Sequence, residues 1–205
     1  ICGAAAILAT APVIRSRAES VSIAVATIVV FGTISMFVYP ALYPYLGLSE
    51  HEYGVFVGST VHEVAQVVVA GSAISDASAG AAVVEKMIRV MLLAPFLLFL
   101  SVGMAPAGRG PGKVLGAVTV PWFAVLFLVI TGINSSALLP TSLVEALVVL
   151  DTVLLAMAMA ALGLRTSLKS MHQAGLRPLM LGGMIGLVLL VGGYLLNVGI
   201  WLLMR

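Results

Sequence analysis

Residues 21–47, VSIAVATIVVFGTISMFVYPALYPYLG, contain no charged side chain. Crossing the hydrocarbon of a bilayer as a helix takes about 20 apolar residues, and this run supplies them. Comparable runs recur at 83–105, 114–133, 142–164 and 179–205. In lipid every backbone N–H and C=O must be bonded internally, so a spanning chain is either a helical bundle or a closed barrel. Barrel strands alternate apolar and polar residues, and these runs do not alternate. Composition agrees: 61% of the 205 residues are hydrophobic and 9% charged, where soluble domains carry about 25% charged residues. Mean hydropathy is +1.19. The expected fold class is all-α, a polytopic helical membrane protein forming one transmembrane domain over 1–205, with the lipid bilayer as its surroundings.

The composition also excludes several functions. A single cysteine, Cys2, rules out an internal disulfide. A net charge of +2 from scattered basic residues offers no nucleic-acid surface. No cofactor and no metal are expected.

Six long segments follow a partial one, ICGAAAILATAPVI, that opens the chain and stops near Pro12. The long span 21–47 is expected to be broken at its end by Pro40 and Pro44. The acidic connector LSEHEYG leads into a segment at about 53–74. A loop at 72–82 precedes the span 83–105, and PAGRGPGK (106–113) is a Pro/Gly turn. The span 114–133 is followed by a tight connection at 134–141. The span 142–164 leads to a basic loop at 165–178 and then the glycine-rich final span 179–205.

The basic loops at 15–17, 109–113 and 165–177 conflict with this count. If all six segments cross, the first of those loops lies opposite the other two, whereas the positive-inside rule places all three in the cytoplasm. One solution is that a segment fails to cross, and the polar residues in 53–74 make it the first candidate for a re-entrant or broken element, although its length allows a full span. An inverted-repeat architecture that tolerates mixed charges is the other solution.

The stretch GSTVHEVAQVVVAG (58–71) sets His62, Glu63 and Gln66 in an apolar run. An ionised side chain at mid-bilayer costs about 2.5–3.5 kcal/mol on insertion scales, so these residues face protein or water. As a continuous helix the stretch would pair His62 with Gln66 and Ser59 with Glu63 on one side. Two roles fit: an interhelical hydrogen-bond cluster that fixes packing, or part of an ion or substrate path. Asp151, mid-way along 142–164, admits the same two, as a neutral bonded acid or as a coupling carboxylate. Cys2, Gly3 and Ala4 have no acid–base side chain suited to a site. They are either a close-packing surface or, where a helix begins there, a set of free N–H groups for an anion.

HEVAQ is one residue from the HExxH zinc motif. The second ligand must be histidine, and Gln66 is a poor substitute. An intramembrane hydrolase or metal enzyme is therefore the weaker reading.

The stretches ICGAAAILATAPVI (1–14), YGVFVGSTVHEVAQVVVAGSAIS (53–75) and LDTVLLAMAMAALGL (150–164), with IAVATIVVFGTISMFVYPALYP (23–44) and RVMLLAPFLL (89–98), resemble one family over essentially the whole chain. It is the YeiH family of multi-pass bacterial inner-membrane proteins, to which sulfate export is ascribed. Members are longer, with helices upstream of Ile-Cys-Gly, so the chain corresponds to their C-terminal portion. The family is related to sodium/proton antiporters and bile-acid symporters, whose inverted repeats cross two broken helices near the midplane. The resemblance thus implies that 1–11 and 142–164 are the crossing helices, with Cys2–Ala4 near Asp151 and HEVAQ in the first helix of the second repeat.

The function expected from this resemblance is secondary transport of a small inorganic anion, sulfate or sulfite, out of the cytoplasm, coupled to protons or sodium. Cys2, Gly3, Ala4, Ser59, His62, Glu63, Gln66 and Asp151 are the candidate binding residues, and a homodimer is an allowed assembly. The alternative within transport is a cation/proton antiporter exchanging ions on Asp151 and Glu63.

Overall fold

A computed structural model of the chain describes residues 3–103, 126, 129, 130, 132, 133, 140–165 and 175–204. The regular elements among them are helices: α1 Gly3–Val13, α2 Ala18–Leu46, α3 Glu50–Thr60, α4 Val64–Ser72, α5 Asp76–Met91, α6 Leu93–Gly103, α7 Thr141–Arg165 and α8 Leu176–Met204. Cys2, the turn 106–113, and most of 114–133, 134–141 and 165–178 lie outside the described residues.

The prolines do not break α2. The helix runs through Pro40 and Pro44 to Leu46 and closes on Gly47 at φ 65°, a left-handed cap that glycine takes without strain. Each proline removes one i→i−4 bond, and the four-residue spacing puts both gaps on one side of the helix while the rest of the ladder holds.

The segment 53–74 is the broken element. α3 starts in a capping box: Ser49 Oγ accepts the Glu52 N–H at 3.3 Å and Glu52 Oε2 accepts the Ser49 N–H at 2.8 Å. The helix stops at Thr60, and Val61 and Glu63 are extended, at ψ 149° and 152°. α4 then runs back beside α3. The Tyr53 hydroxyl, in the first turn of α3, donates to the carbonyl of Ala70 near the end of α4 at 3.3 Å. A straight helix would separate these residues by about 25 Å. α3 and α4 therefore form a re-entrant hairpin with Val61, His62 and Glu63 at its tip.

α5 lies against both arms, parallel to α3. It begins at Asp76 because Ser75 Oγ accepts the Ser78 N–H at 3.1 Å, so most of the expected loop 72–82 is helical. A Cβ on Gly54 would stand 2.4 Å from the Ser78 carbonyl oxygen, and one on Gly58 2.5 Å from that of Ala82. On the other arm, a Cβ on Gly71 would meet Ala79 Cα at 2.7 Å. Small residues four apart let the backbones touch. The expected span 83–105 is divided at Leu92, where α5 hands over to α6. Pro95, in the first turn of α6, has no N–H to continue the α5 ladder.

Three elements place the tip near mid-depth. α1 and α3 have 11 residues each, about 16 Å, or half of a hydrocarbon core about 30 Å thick. α1 starts at the tip, where the Gly3 N–H donates to the carbonyl of His62 at 3.0 Å. α2 passes with its middle: Gly3 packs on Ile28 and Gly32 on Gln66. The outer part of the hairpin is held by aromatics, Tyr39 stacked on Phe56 at 5.0 Å and Tyr43 edge-on to Tyr53 at 4.8 Å. α8 closes over α2 and the hairpin at Gly182 and Gly193, while Cβ atoms at Gly192 and Gly199 of the same glycine-rich helix would meet nothing within 4 Å among the described residues.

A hairpin that returns to its side of entry removes the charge conflict. Counted with the spans expected at 114–133 and 142–164, the basic loops at 15–17, 109–113 and 165–177 fall on one side, the cytoplasmic one by the positive-inside rule. Cysteines introduced at Leu48 and at Ile74 are therefore expected to react with an impermeant thiol reagent from the same, periplasmic, side. Labelling from opposite sides would show that the segment crosses.

Candidate functional site at the hairpin tip

Breaking a helix exposes two ends of opposite polarity. At the tip the carbonyl end of α3 is met by cations from α5. The Lys86 ammonium donates to the carbonyl of Val61 and the Arg89 guanidinium to that of Ser59. Lys86 is fully buried. The amide end of α4 is not dressed in this way. Its first ladder bond is Val67 N–H to the Glu63 carbonyl at 3.0 Å, so the backbone N–H groups of Val64, Ala65 and Gln66 have no partner within the helix. Glu63 occupies the N-cap and its side chain makes no cap bond.

The side chains here keep unused bonding capacity. His62 Nδ1, Glu63 Oε1 and Gln66 Oε1 are buried without a hydrogen-bond partner among the described residues. Glu63 is 5% exposed and Gln66 1%. Gln66 reaches α2, where its Nε2 donates to the carbonyl of Val29 at 3.5 Å. Lys86 acts electrostatically on both His62 and Glu63. On the far flank Asn197 of α8 donates to Ser59 Oγ at 3.1 Å.

A cavity of about 640 Å³ lies between α1, α2 and α8. Ser20 and Arg177 line it near the ends of α2 and α8 that adjoin the basic loops, and His62 lines it at the tip. Most of the wall between them is apolar, with Ile7, Ile28 and Phe31 among its residues.

The structure brings Gly3, Ser59, His62, Glu63 and Gln66 to the tip, but not in the helical pairs expected. The break separates His62 from Gln66 and Ser59 from Glu63, so neither i, i+4 pair forms. Ser59 instead bonds to Phe56 and Asn197. Ala4 is half-buried in the first turn of α1, and Cys2 lies outside the described residues. The expected crossing of 1–11 with 142–164 is replaced: α1 meets the hairpin, and α7 is unbroken. Asp151 is exposed on α7. HEVAQ forms the tip and the start of α4, not part of an intact span.

Lys86, Arg89 and Asn197 were not among the sequence candidates. In sequence the two cations read as charges near a loop. Their signal is the one-sided spacing Ser78, Ala82, Lys86, Arg89, which sets small residues and then two cations along the face of α5 that meets α3.

These features define a polytopic helical membrane protein with a re-entrant hairpin whose tip carries buried ionisable groups at mid-depth. The chain belongs to the family described as Conserved hypothetical protein 698, whose model matches residues 1–182. It is 50% identical over 200 residues to the UPF0324 inner membrane protein YeiH of Salmonella typhi, covering 97% of this chain and 57% of that protein. A UPF0324 membrane protein of Yersinia pestis is 53% identical over 209 residues, and YeiH of Escherichia coli K12 50% over 199; each covers 96% of this chain and 57% of the relative. The chain thus spans less than two thirds of the length of these relatives. With them, it is a multi-pass protein of the bacterial inner membrane. No solved structure matches it.

Proposed function

We propose that this chain is part of a secondary transporter for a small inorganic anion, sulfate or sulfite, coupled to protons or sodium and working in the direction of export. The observation that carries the reading is the cavity from Ser20 and Arg177 to His62, which joins the basic face to the hairpin tip. Next to His62 in the chain, the N–H groups of the first turn of α4, which have no partner within the helix, favour negative charge. Arg177 adds a cation to the lining near the basic face. Glu63, buried with an unpartnered oxygen, is the candidate coupling carboxylate, since in its protonated form it can donate to an anion.

The cation/proton antiporter has less support, because Asp151, its second carboxylate, is exposed on α7 rather than gathered at the tip. The hydrolase reading needs two ligands one helical turn apart, and the break at Val61–Glu63 removes that geometry. The reading is accordingly of a carrier rather than an enzyme.

The test is flux of radiolabelled sulfate and sulfite in inverted vesicles holding the full-length protein. Accumulation above that of empty vesicles, collapsing when the proton or sodium gradient is removed, is the expected result. No flux of either anion, with a sodium- or lithium-dependent proton signal instead, would replace this reading with the antiporter.

A further inference from the structure

Carriers with unwound helices often hold a coupling sodium on the carbonyl oxygens of a half-helix end. The carbonyl end of α3 is the corresponding place here, and several of the oxygens around it already have donors. Ser59 accepts from Arg89, Val61 from Lys86 and His62 from the Gly3 N–H. The Val57 carbonyl accepts the Val61 N–H at 2.9 Å, and that of Phe56 accepts the hydroxyls of Ser59 and Thr60 at 2.9 and 2.6 Å. The Ser59 hydroxyl in turn accepts from Asn197.

We propose that Lys86 and Arg89 are tethered cations that take the place of a coupling sodium at this hairpin, so that it closes without any alkali ion. A sodium ion would have to displace an ammonium or a guanidinium that cannot diffuse away, and would then sit beside it in a medium of low dielectric. That arrangement is repulsive at contact distances. Glu63 acts electrostatically on Lys86, and Glu85 on Arg89. The proposal rests on the carrier reading, and of its two coupling ions sodium is the one that this end excludes.

The test uses purified full-length protein in detergent, with unfolding temperature read in sodium chloride and in choline chloride at equal ionic strength. The wild type is expected to unfold at the same temperature in both. A sodium site filled to a hundred times its Kd would instead raise it by roughly several degrees, and such a rise overturns the proposal. Lys86→Ala is expected to lower the unfolding temperature, with methylammonium chloride restoring part of the loss and choline none. An unchanged unfolding temperature in Lys86→Ala, or a loss that methylammonium does not reduce, also overturns it. Should that variant fail to fold, the wild-type comparison decides alone. Absence of sulfate and sulfite flux alongside these results would remove the carrier reading and leave the tethered cations in place.

Discussion

Gly58→Val is expected to abolish or nearly abolish folded protein. A Cβ at this position would stand 2.5 Å from the Ala82 carbonyl oxygen and 2.8 Å from Glu85 Cβ. The first of these is backbone, so relief requires α3 and α5 to separate. Overpacking a core costs typically about 1–3 kcal/mol where side chains can adjust, and a backbone obstacle puts this case at about 3 kcal/mol or more. Separation would also take Lys86 and Arg89 away from the Val61 and Ser59 carbonyls, uncapping the carbonyl end of α3 in the membrane. Gly80→Ala is the control. It lies on the same α5 with nothing within 4 Å of its Cβ position, and gains helix propensity of up to about 1 kcal/mol. The check is the monodisperse yield and unfolding temperature of both variants in detergent. Normal unfolding of Gly58→Val would mean that the two helices do not pack in this way.

Glu63→Gln is expected to abolish anion flux while leaving the fold intact. Glutamine has almost the same volume, and the glutamate side chain makes no cap bond to α4 that would be lost. The change removes the ability to take up and release a proton at the tip, together with the carboxylate charge beside Lys86. A residue that merely fixes helix packing would tolerate it with flux preserved. Flux of radiolabelled sulfate, measured beside the unfolding temperature, separates the two roles. Unchanged flux would sink the coupling role, and lost flux with a collapsed unfolding temperature would assign Glu63 to structure.

Part of the site was legible because burying polarity in lipid is expensive. His62, Glu63 and Gln66 stood out in an apolar run, and the mismatch of loop charges left two solutions, a non-crossing segment at 53–74 or an inverted repeat that keeps every span. The geometry of those residues was not legible. Helical spacing paired His62 with Gln66, but no proline or glycine marks the stop at Thr60. The break is instead stabilised from outside the segment, by Lys86, Arg89 and the Gly3 N–H. Asp151, singled out by its place mid-way along an apolar run, lies on the continuous helix α7 away from the hairpin tip.

The sequence by itself determined the helical membrane class, the family and the polar stretch on which a function must rest. Those follow from local quantities, hydropathy per residue and the cost of each buried charge, which add along the chain. The tertiary structure alone decided that the stretch is a hairpin tip, that two cations of α5 cap it and that α1 starts against it. These depend on which backbones come close enough to touch, and Gly54 and Gly58 permit that contact without naming the helix that makes it.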